Sequence, residues 1–586
     1  MQGNNKTLTH SGRFILGLAL ALAGCVSGSA EVAAPPGEPT GPAQVVGRSL
    51  TGNYLAGRHA QLDHRLDLAV DQLRGALAKD PANAELRRRT FAVMAAEGLF
   101  PEAADLGRGV AETDPADPLA AYVVAADDIR AGRYADATKR LKGMADSGIN
   151  LLMAPMLTAW ALAGEGRTDE AVKALDKLSE TEGLRVLRHL HAALINDLAG
   201  RMAEAEKDYL AVAAAQSELT LRFTELVGSF MERTGKGDKA REFYDRYLNQ
   251  SGSGRHLGPA LARLKNGGLP PRDVADARAG AAESLFGIAS TLRQQNLREM
   301  ALVFVRLSLL LRPNYPVAQL LLATVLEGDD RLEAANAVYR SIDVKSPYSW
   351  SARLRLAGNL DGMDRTDEAV AILSAMAEEA PADPDPYIDL GDVLRARERF
   401  AEAVQAYDKA VTRLGPSLEA KHWGLLYARG IALERSKQWP RAEADFLKAL
   451  EFKPDQAQVL NYLGYTWVEQ GLHLERAQDM LRKAVRLKPN DGYIIDSLGW
   501  VYYRLGKYDS AVKELERAVE LRPADPVIND HLGDAYWRVG RHQEARFQWR
   551  RSLALDPEPD VRQAVEGKLR DGLAEEKPIQ PKGGNG

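Results

Sequence analysis

Small apolar residues recur along this chain at an interval that is mostly 34 positions. A large apolar residue usually follows four positions later, a smaller one follows at seven, and a proline often follows at twelve. Spacings of four and three place these side chains on one face of a helix, which the proline ends because its ring cannot continue the hydrogen-bond ladder. Ala511, Leu515, Ala518 and Pro523 show the full pattern. The fourteen recurring alanines, called frame alanines below, are Ala69, Ala103, Ala137, Ala171, Ala205, Ala240, Ala301, Ala335, Ala369, Ala403, Ala442, Ala477, Ala511 and Ala545.

A second apolar pattern precedes the frame alanines and predicts another helix in each unit. It is clearest in Leu498-Gly499-x-x-Tyr502 and in Leu463-Gly464-x-x-Trp467. Glycine inside a helix costs about 1 kcal/mol relative to alanine, which is reasonable only if close approach of a second helix is gained in return. Two helices per unit at this period predict stacked helical hairpins. The repeat leaves no alternating apolar pattern long enough for strands, so the prediction is an all-α protein.

These residues resemble the tetratricopeptide repeat, and the resemblance covers roughly residues 53–557. It implies a superhelical solenoid of about 14 helical hairpins with a central insertion. The first helix of each hairpin would then line a concave groove, and the second helix would carry the frame alanine.

One interruption divides the repeats. The spacing from Ala240 to Ala301 is 61 rather than 34, which leaves 27 extra residues rich in glycine and proline around a short helical patch. We interpret residues 251–280 as a hinge or insertion between an N-terminal block, 53–250, and a C-terminal block, 281–557. A degenerate repeat is the alternative.

The last repeat is followed by a polar segment, residues 558–576, with Val561, Val565 and Leu569 on one side. This spacing predicts a helix that caps the open end of the stack. Residues 577–586 are predicted to be a disordered tail.

The N-terminal residues have the pattern of a leader peptide that is cleaved off. Residues 14–23 are an uninterrupted apolar run of ten after a weakly basic start, too short for a bilayer span of about 20 residues but suited to a secretory signal. Leu22-Ala23-Gly24-Cys25 resembles a bacterial lipobox. That resemblance implies a lipoprotein signal peptide over 1–24, cleavage before Cys25 and lipidation of Cys25. A buried structural cysteine is the alternative.

Residues 25–52 would form a disordered tether behind the lipid, since they are rich in Ala, Pro, Gly and Ser and cannot bury a core. In bacterial lipoproteins the residue after the cysteine influences sorting, and Val26 implies the outer membrane, with the protein facing the periplasm. Several acyl chains on one residue would hold the protein stably.

Composition excludes several functions. The formal net charge of −5 gives no electrostatic footprint for nucleic acid. Cys25 is the only cysteine, so no internal disulfide and no cysteine-based metal site or nucleophile is expected. The sequence lacks a phosphate-binding loop, a His-Glu-x-x-His pair and a Gly-x-Ser-x-Gly elbow. We therefore expect no enzyme, no cofactor and no metal.

A second stripe on the first helices carries exposed aromatic and charged residues at helical spacing. In tetratricopeptide arrays this stripe lines the concave groove, and Trp, Tyr and Arg dominate protein interfaces. The alternative for each aromatic residue is simple packing into an adjacent repeat. The predicted partner-binding residues are Tyr427, Arg435, Asn461, Tyr465, Asp496, Trp500, Tyr503, Arg504, Asp530, Asp534, Trp537 and Arg538.

The C-terminal repeats also resemble a more particular group, the large outer-membrane tetratricopeptide lipoproteins of proteobacteria. The resemblance rests on Asn461-Tyr462-Leu463-Gly464-Tyr465-Thr466, on residues 496–506 and on residues 531–537. One such lipoprotein is the adaptor of a periplasmic C-terminal processing protease and helps deliver cell-wall hydrolases to it. This resemblance implies a membrane-anchored protein scaffold with a processing protease among its partners. A structural component of envelope assembly, in outer-membrane protein insertion or polysaccharide export, is the alternative.

Overall fold

The computed structural model describes residues 49–574 except 146, 181, 252 and 253. Helices and turns account for these residues, and no strand occurs among them. The predicted signal peptide, Cys25, most of the tether and the tail at 577–586 lie outside the described residues. The first helix begins at Leu50, three positions before the predicted start of the repeats, and Ser49 caps it by accepting a hydrogen bond from the Gly52 amide.

The described residues form two compact units, 49–364 and 365–574. The first contains eighteen α-helices: α1 Leu50–Leu62, α2 Leu66–Leu77, α3 Ala84–Glu97, α4 Glu102–Thr113, α5 Pro118–Arg130, α6 Tyr134–Lys142, α7 Asn150–Gly164, α8 Thr168–Ala174, α9 Arg185–Leu198, α10 Met202–Ala215, α11 Leu221–Arg233, α12 Gly237–Ser251, α13 Gly258–Asn266, α14 Ala277–Gln294, α15 Arg298–Leu311, α16 Pro316–Gly328, α17 Leu332–Arg340 and α18 Ser349–Gly362.

The second unit contains twelve α-helices among its described residues: α19 Thr366–Glu379, α20 Asp385–Ala396, α21 Phe400–Leu414, α22 Trp423–Arg435, α23 Trp439–Phe452, α24 Ala457–Gln470, α25 Leu474–Leu487, α26 Gly492–Arg504, α27 Tyr508–Leu521, α28 Pro526–Arg538, α29 His542–Ala554 and α30 Pro559–Asp571. The described residues also include short 3-10 helices at Leu175–Glu180, Glu182–Leu184, Arg255–Leu257 and Ala420–His422.

The frame alanines explain how the hairpins close. All fourteen have 0% exposed surface, and each lies on a second helix. On the first helix the glycine fits the same contact, because a Cβ at Gly499 would come within 2.6 Å of Leu515 Cγ. Small residues at these positions let the paired helices approach closely. The fold is therefore the predicted all-α solenoid of tetratricopeptide-like hairpins, with α13 in the predicted helical patch and α30 in the predicted cap.

The described residues of 251–280 contact helices of the first unit on both sides. Arg263 pairs with Glu232 at 3.1 Å, and the imidazole of His256 lies 5.0 Å from the ring of Tyr348. The guanidinium of Arg255 stacks over Trp350 at 3.9 Å. Sequence spacing placed the boundary between two blocks here, whereas the structure divides between α18 and α19, at 364 and 365. Side chains that contact helices on both sides explain why the extra residues do not separate compact units.

One hairpin of the first unit, α14–α15, packs across the first helices of earlier hairpins. Helix α14 contacts α5, α7 and α9, and α15 contacts α3 and α5. We call the surface made by α3, α5, α7 and α9 the closed face. Gly280 of α14 lies against the Trp160 ring so tightly that a Cβ would come within 2.2 Å of it. The groove that the repeats would otherwise leave free is filled there by the chain itself.

Polar contacts also fix the position of the α14–α15 hairpin. Arg222 of α11 pairs with the buried Glu283 of α14 at 2.7 Å, and the Tyr315 hydroxyl donates to the same carboxylate at 2.7 Å. The buried Trp160 indole donates to His191 Nδ1 at 3.2 Å, and burial lowers the pKa of His191 to about 4. A neutral imidazole that accepts this hydrogen bond is consistent with a structural role for His191.

Candidate partner-binding groove

The first helices of the second unit are α20, α22, α24, α26 and α28. Helix α20 contacts α22, α24 contacts α26, and α26 contacts α28. We call the face they share the open groove, because within the described part of this unit only α30, at the C-terminal end, reaches over it. The twelve residues that the sequence selected all lie on α22, α24, α26 and α28.

An aromatic stack occupies the centre of the open groove. The ring of the half-buried Trp500 lies 4.7 Å from that of Tyr503 with an interplanar angle of 8°, and 4.0 Å from that of His531 with an angle of 17°. Tyr503 is only 3% exposed. Trp500 is therefore the accessible member of the stack, and Tyr503 supports it from below.

Glu469 holds the edge of this stack. The Trp500 indole donates to Glu469 Oε1 at 3.2 Å, and Arg504 pairs with the same carboxylate at 2.6 Å. These contacts join α24 to α26 and fix the orientation of the indole. A side chain already held in one orientation loses little conformational entropy on binding, so Trp500 is suited to anchor a partner.

Beside the stack, α24 presents Tyr465 and Asn461. Tyr465 is half-buried, and Asn461 Oδ1 is buried without a hydrogen-bond partner. A buried acceptor left unpaired costs about 1 to 3 kcal/mol.

The earlier end of the groove is less open. Tyr427 packs among aromatic rings, at 6.2 Å from Phe446 and 6.4 Å from Tyr462. The guanidinium of the exposed Arg435 lies over the Phe400 ring at 4.8 Å. Both predicted residues contact neighbouring helices, so only part of their surface is left for a partner.

The C-terminal end of the groove is covered by α30. Lys568 Nζ lies 2.8 Å from Asp530 Oδ1 and 2.7 Å from Asp534 Oδ2. Asp534 also accepts a hydrogen bond from the Trp549 indole at 2.9 Å. Burial and the neighbouring Asp530 raise the pKa of Asp534 to about 6, although Lys568 opposes the rise. These two predicted residues are engaged by the chain's own cap.

Trp537 and Arg538 belong to the same covered end. The Trp537 ring lies 5.3 Å from that of Trp549, and the backbone at Gly572 approaches it so closely that a Cβ there would come within 2.6 Å. Arg538 donates to the Ala574 carbonyl at 2.7 Å. Trp537 therefore packs into an adjacent element, which is the alternative given above for each aromatic residue.

His531 links the centre of the groove to its covered end. Its Nδ1 is hydrogen-bonded to Asp496 Oδ1 at 2.9 Å. Burial alone would lower the pKa of His531, but the charges of Asp496, Asp530 and Asp534 outweigh burial and raise it. The predicted residue Asp496 therefore holds an imidazole rather than facing solvent, and its side chain is 13% exposed.

The structure thus gathers the predicted residues into a central and a terminal cluster. His531 and Lys568 join the two clusters but were not among the residues predicted from the sequence. His531 directly precedes the packed Leu532-Gly533 pair, so its helical position could have been found. Lys568 lies 34 residues beyond Asp534 in a helix outside the repeat frame, and no sequence signal pointed to its contact.

Metal-type clusters and membrane-spanning helices are both absent from the described residues. Within it, no group of three or more His, Cys, Asp or Glu side chains is arranged to hold a metal ion. None of its helices is both long enough and apolar enough to span a bilayer.

Comparisons with known proteins agree with the fold. Residues 354–419 and 427–492 match the tetratricopeptide repeat model, and residues 499–540 match a TPR repeat model. A search of curated protein sequences gives no match. Proteins built from this repeat are typically interaction scaffolds without enzymatic activity, and the matched residues include Asn461, Tyr465 and Trp500 of the open groove.

Solved structures of repeat proteins are similar over various lengths. Cut9–Hcn1, an APC/C hetero-tetramer, is 16% identical, with 90% of this chain and 97% of that chain covered and a TM-score of 0.35. YrrB, a TPR protein with an unusual peptide-binding site, is 20% identical, covering 33% and 97% at a TM-score of 0.27. MamA from Desulfovibrio magneticus RS-1 is 21% identical, covering 30% and 94% at a TM-score of 0.26. At such TM-scores these likenesses carry no argument about what this chain binds.

Proposed function

We propose that this protein is a non-enzymatic scaffold that binds a partner protein in the open groove. The observation that carries the proposal is the state of α24 and α26. They present a partly exposed, rigidly held Trp500 and a half-buried Tyr465. Aromatic anchors of this kind are typical of recognition sites.

The partner that fits best is an extended or helical protein segment. Its apolar side chains would contact Trp500 and Tyr465. Glu469 and Arg504 already neutralise each other at 2.6 Å, so the centre of the groove has no strong preference for a charged segment.

We further propose that the scaffold works in the periplasm, held at the outer membrane by lipid on Cys25. The support is the sequence of the leader, an apolar run of ten followed by Leu22-Ala23-Gly24-Cys25. The resemblance of the C-terminal repeats to outer-membrane lipoproteins supports a C-terminal processing protease as the partner, with cell-wall hydrolases as its substrates.

The groove is tested by affinity capture from solubilised envelopes with the wild-type chain and with Tyr465→Ala/Trp500→Ala. We expect the double substitution to weaken the captured complex by at least about 2 kcal/mol, roughly thirtyfold, because two interface anchors are lost. Phe547→Ala is the matched control, since this aromatic residue is 60% exposed on α29, outside the groove. Equal capture by the double variant, or loss only with Phe547→Ala, would place the binding site elsewhere.

The anchor is tested separately with Cys25→Ser. The proposal predicts that this variant no longer incorporates labelled fatty acid and leaves the membrane fraction. Unchanged labelling and fractionation would show that Cys25 is not the lipidated residue. Identification of a serine peptidase among the proteins lost with Tyr465→Ala/Trp500→Ala is the result expected for the protease partner, and its absence would contradict that assignment.

A further inference from the structure

A cavity of about 500 Å³ lies in the first unit, between the closed face and α15. The C-terminal half of α1 forms part of its rim. Its lining includes the buried rings of Phe91, Tyr122 and Phe304, and Met300 stands at its edge with 40% of its surface exposed. Cavities of this size, mostly apolar with a few polar groups, are characteristic of ligand sites.

The floor of the cavity offers little to a peptide backbone. The only hydroxyl of its three rings belongs to Tyr122, and this group already donates to Asn150 at 2.6 Å. A buried peptide would leave N–H and C=O groups without partners, which is costly, whereas a hydrocarbon chain needs none. The floor therefore favours hydrocarbon.

One side of the cavity carries more positive than negative charge. Glu97 is shared by two arginines, at 2.9 Å from Arg331 and 3.5 Å from Arg306. The three side chains are only 13 to 18% exposed. Arg331 lines the cavity and shares its single carboxylate partner, Glu97, with Arg306. An anionic group in the cavity would give the two arginines a second counter-ion.

The pKa of Arg306 is consistent with that excess of charge. Burial lowers the pKa of Arg306 to about 10, the charge of Glu97 opposes this fall, and the charge of the neighbouring Arg331 adds to the fall. A negatively charged ligand group would relieve the repulsion between the two guanidinium groups.

Counted over the whole lining, the cavity has more cations than anions. Four arginines line it, Arg58, Arg88, Arg89 and Arg331, against the three carboxylates of Asp117, Glu299 and Asp329. Two of these carboxylates already face a cation, since Asp117 pairs with Arg88 at 2.9 Å and Asp329 lies 3.7 Å from Arg298.

We propose that this cavity binds a single-chain carboxylate amphiphile of the fatty-acid class. The hydrocarbon chain lies against Phe91, Tyr122 and Phe304, and the carboxylate pairs with the guanidinium of Arg331. This site is independent of the open groove and of the partner proposed for it.

The test uses the full chain and the fluorescent fatty acid cis-parinaric acid, with palmitate and hexadecanol as competitors. We expect saturable binding of one probe per chain, displaced by palmitate. Arg331→Met should weaken palmitate at least about tenfold, the usual scale for a lost hydrogen bond to a charged group, and should leave hexadecanol nearly unchanged. Arg293→Met, an exposed arginine on α14 outside the cavity, is the control.

A second variant fills the cavity. Ala96 lines it from α3 and is half-buried, so Ala96→Phe should abolish binding of both competitors. Ala131→Phe, at an exposed position after α5, should bind normally. Circular dichroism confirms folding, and Ala92→Val replaces Ala96→Phe if the larger residue prevents it.

Three results would overturn the proposal. They are no saturable binding by the wild-type chain, full binding by a folded cavity-filling variant, and equal effects of Arg331→Met on palmitate and hexadecanol. A peptide with an apolar C-terminus that competes through Arg331, while palmitate does not, would reassign the cavity to peptides.

Discussion

Trp160 and Trp500 occupy the same position of the repeat, each eleven residues before a frame alanine, but their surroundings differ. Trp160 has no exposed surface and lies against Gly280 of α14. Trp500 is half-buried in a groove that no helix of its unit crosses at that point in the described residues. Position in the repeat therefore does not decide what a residue does. What decides it is whether another part of the chain covers the face.

The residues around the two tryptophans fit this difference. On the closed face, α3 and α5 present small side chains such as Ala92 and Ala126, which leave room for α15. In the open groove, α24 presents Tyr465 directly after its helical glycine, as α26 presents Trp500. At this repeat position Tyr465 and Trp500 thus face an uncovered groove, whereas Ala92 and Ala126 face a surface that the chain's own hairpin fills.

The largest expected effect comes from removing the two tryptophans in turn. Trp160→Ala should lower the free energy of unfolding of the first unit by about 3 to 5 kcal/mol, because it leaves a cavity between α7 and α14. Trp500→Ala should change the stability of the second unit by less than about 1 kcal/mol, because its ring is partly exposed. Urea unfolding followed by circular dichroism measures both. Similar losses for the two variants would remove the distinction between the faces.

A smaller effect is expected where helices cross. Gly499→Leu should destabilise the second unit by about 1 to 3 kcal/mol, since the new side chain meets Leu515 across the hairpin. Gly358→Leu is the matched control, because this helical glycine is exposed and has no atom within 4 Å of its Cβ position. It should be neutral or stabilising by up to about 1 kcal/mol. Thermal unfolding distinguishes the two variants. An unchanged stability of Gly499→Leu would show that Gly499 does not lie at the helix crossing.

The smallest effect concerns pH and the open groove alone. The pKa of His531 is raised above its ordinary value of 6.5, so the folded state binds the proton more tightly than the unfolded state. Its stabilising contribution is therefore complete below about pH 6.5 and is lost as pH rises through the folded pKa. Asp534, with its pKa raised to about 6, acts in the same direction at lower pH. Charged groups facing this region come from α26, α28 and α30, namely Asp496, Asp530 and Lys568.

Urea unfolding at a series of pH values measures this slope. We expect the stability of the second unit to fall as pH rises, and His531→Gln should remove the upper part of the fall while keeping the parts due to Asp534 and to Asp389, whose pKa burial raises to about 7. A rise in stability across neutral pH, or an unchanged profile in His531→Gln, would contradict the assignment.

Much of the fold could be predicted because most contacts of a repeat join residues that are close together in the sequence. The frame alanines, crossing glycines such as Gly499 and the cap at α30 all depend on residues within about one repeat of each other. The sequence also indicated the short helix within 251–280, which is α13 in the structure. The stripe of the open groove was predictable for the same reason, since helical spacing alone selects it.

The closed face could not be predicted, since its contacts join residues far apart in the chain. Arg331 and Glu97 are 234 positions apart, and Arg222 and Glu283 are 61 apart, distances that the repeat period does not encode. The covering of Trp537 could not be predicted either. Its position on the stripe predicted a contact with a partner. The Gly572 backbone covers it, and a position in the frame gives no sign of that.

Hydroxyl-radical footprinting of the full chain, free and bound to the partner it captures, distinguishes the open groove from the closed face. We expect Trp500 and Tyr465 to be oxidised in the free protein and protected in the complex. Trp160 should be unreactive in both states, since the chain itself covers it. Protection confined to the first unit on partner binding, or strong oxidation of Trp160 in the free protein, would show that the open groove is not the partner-binding surface.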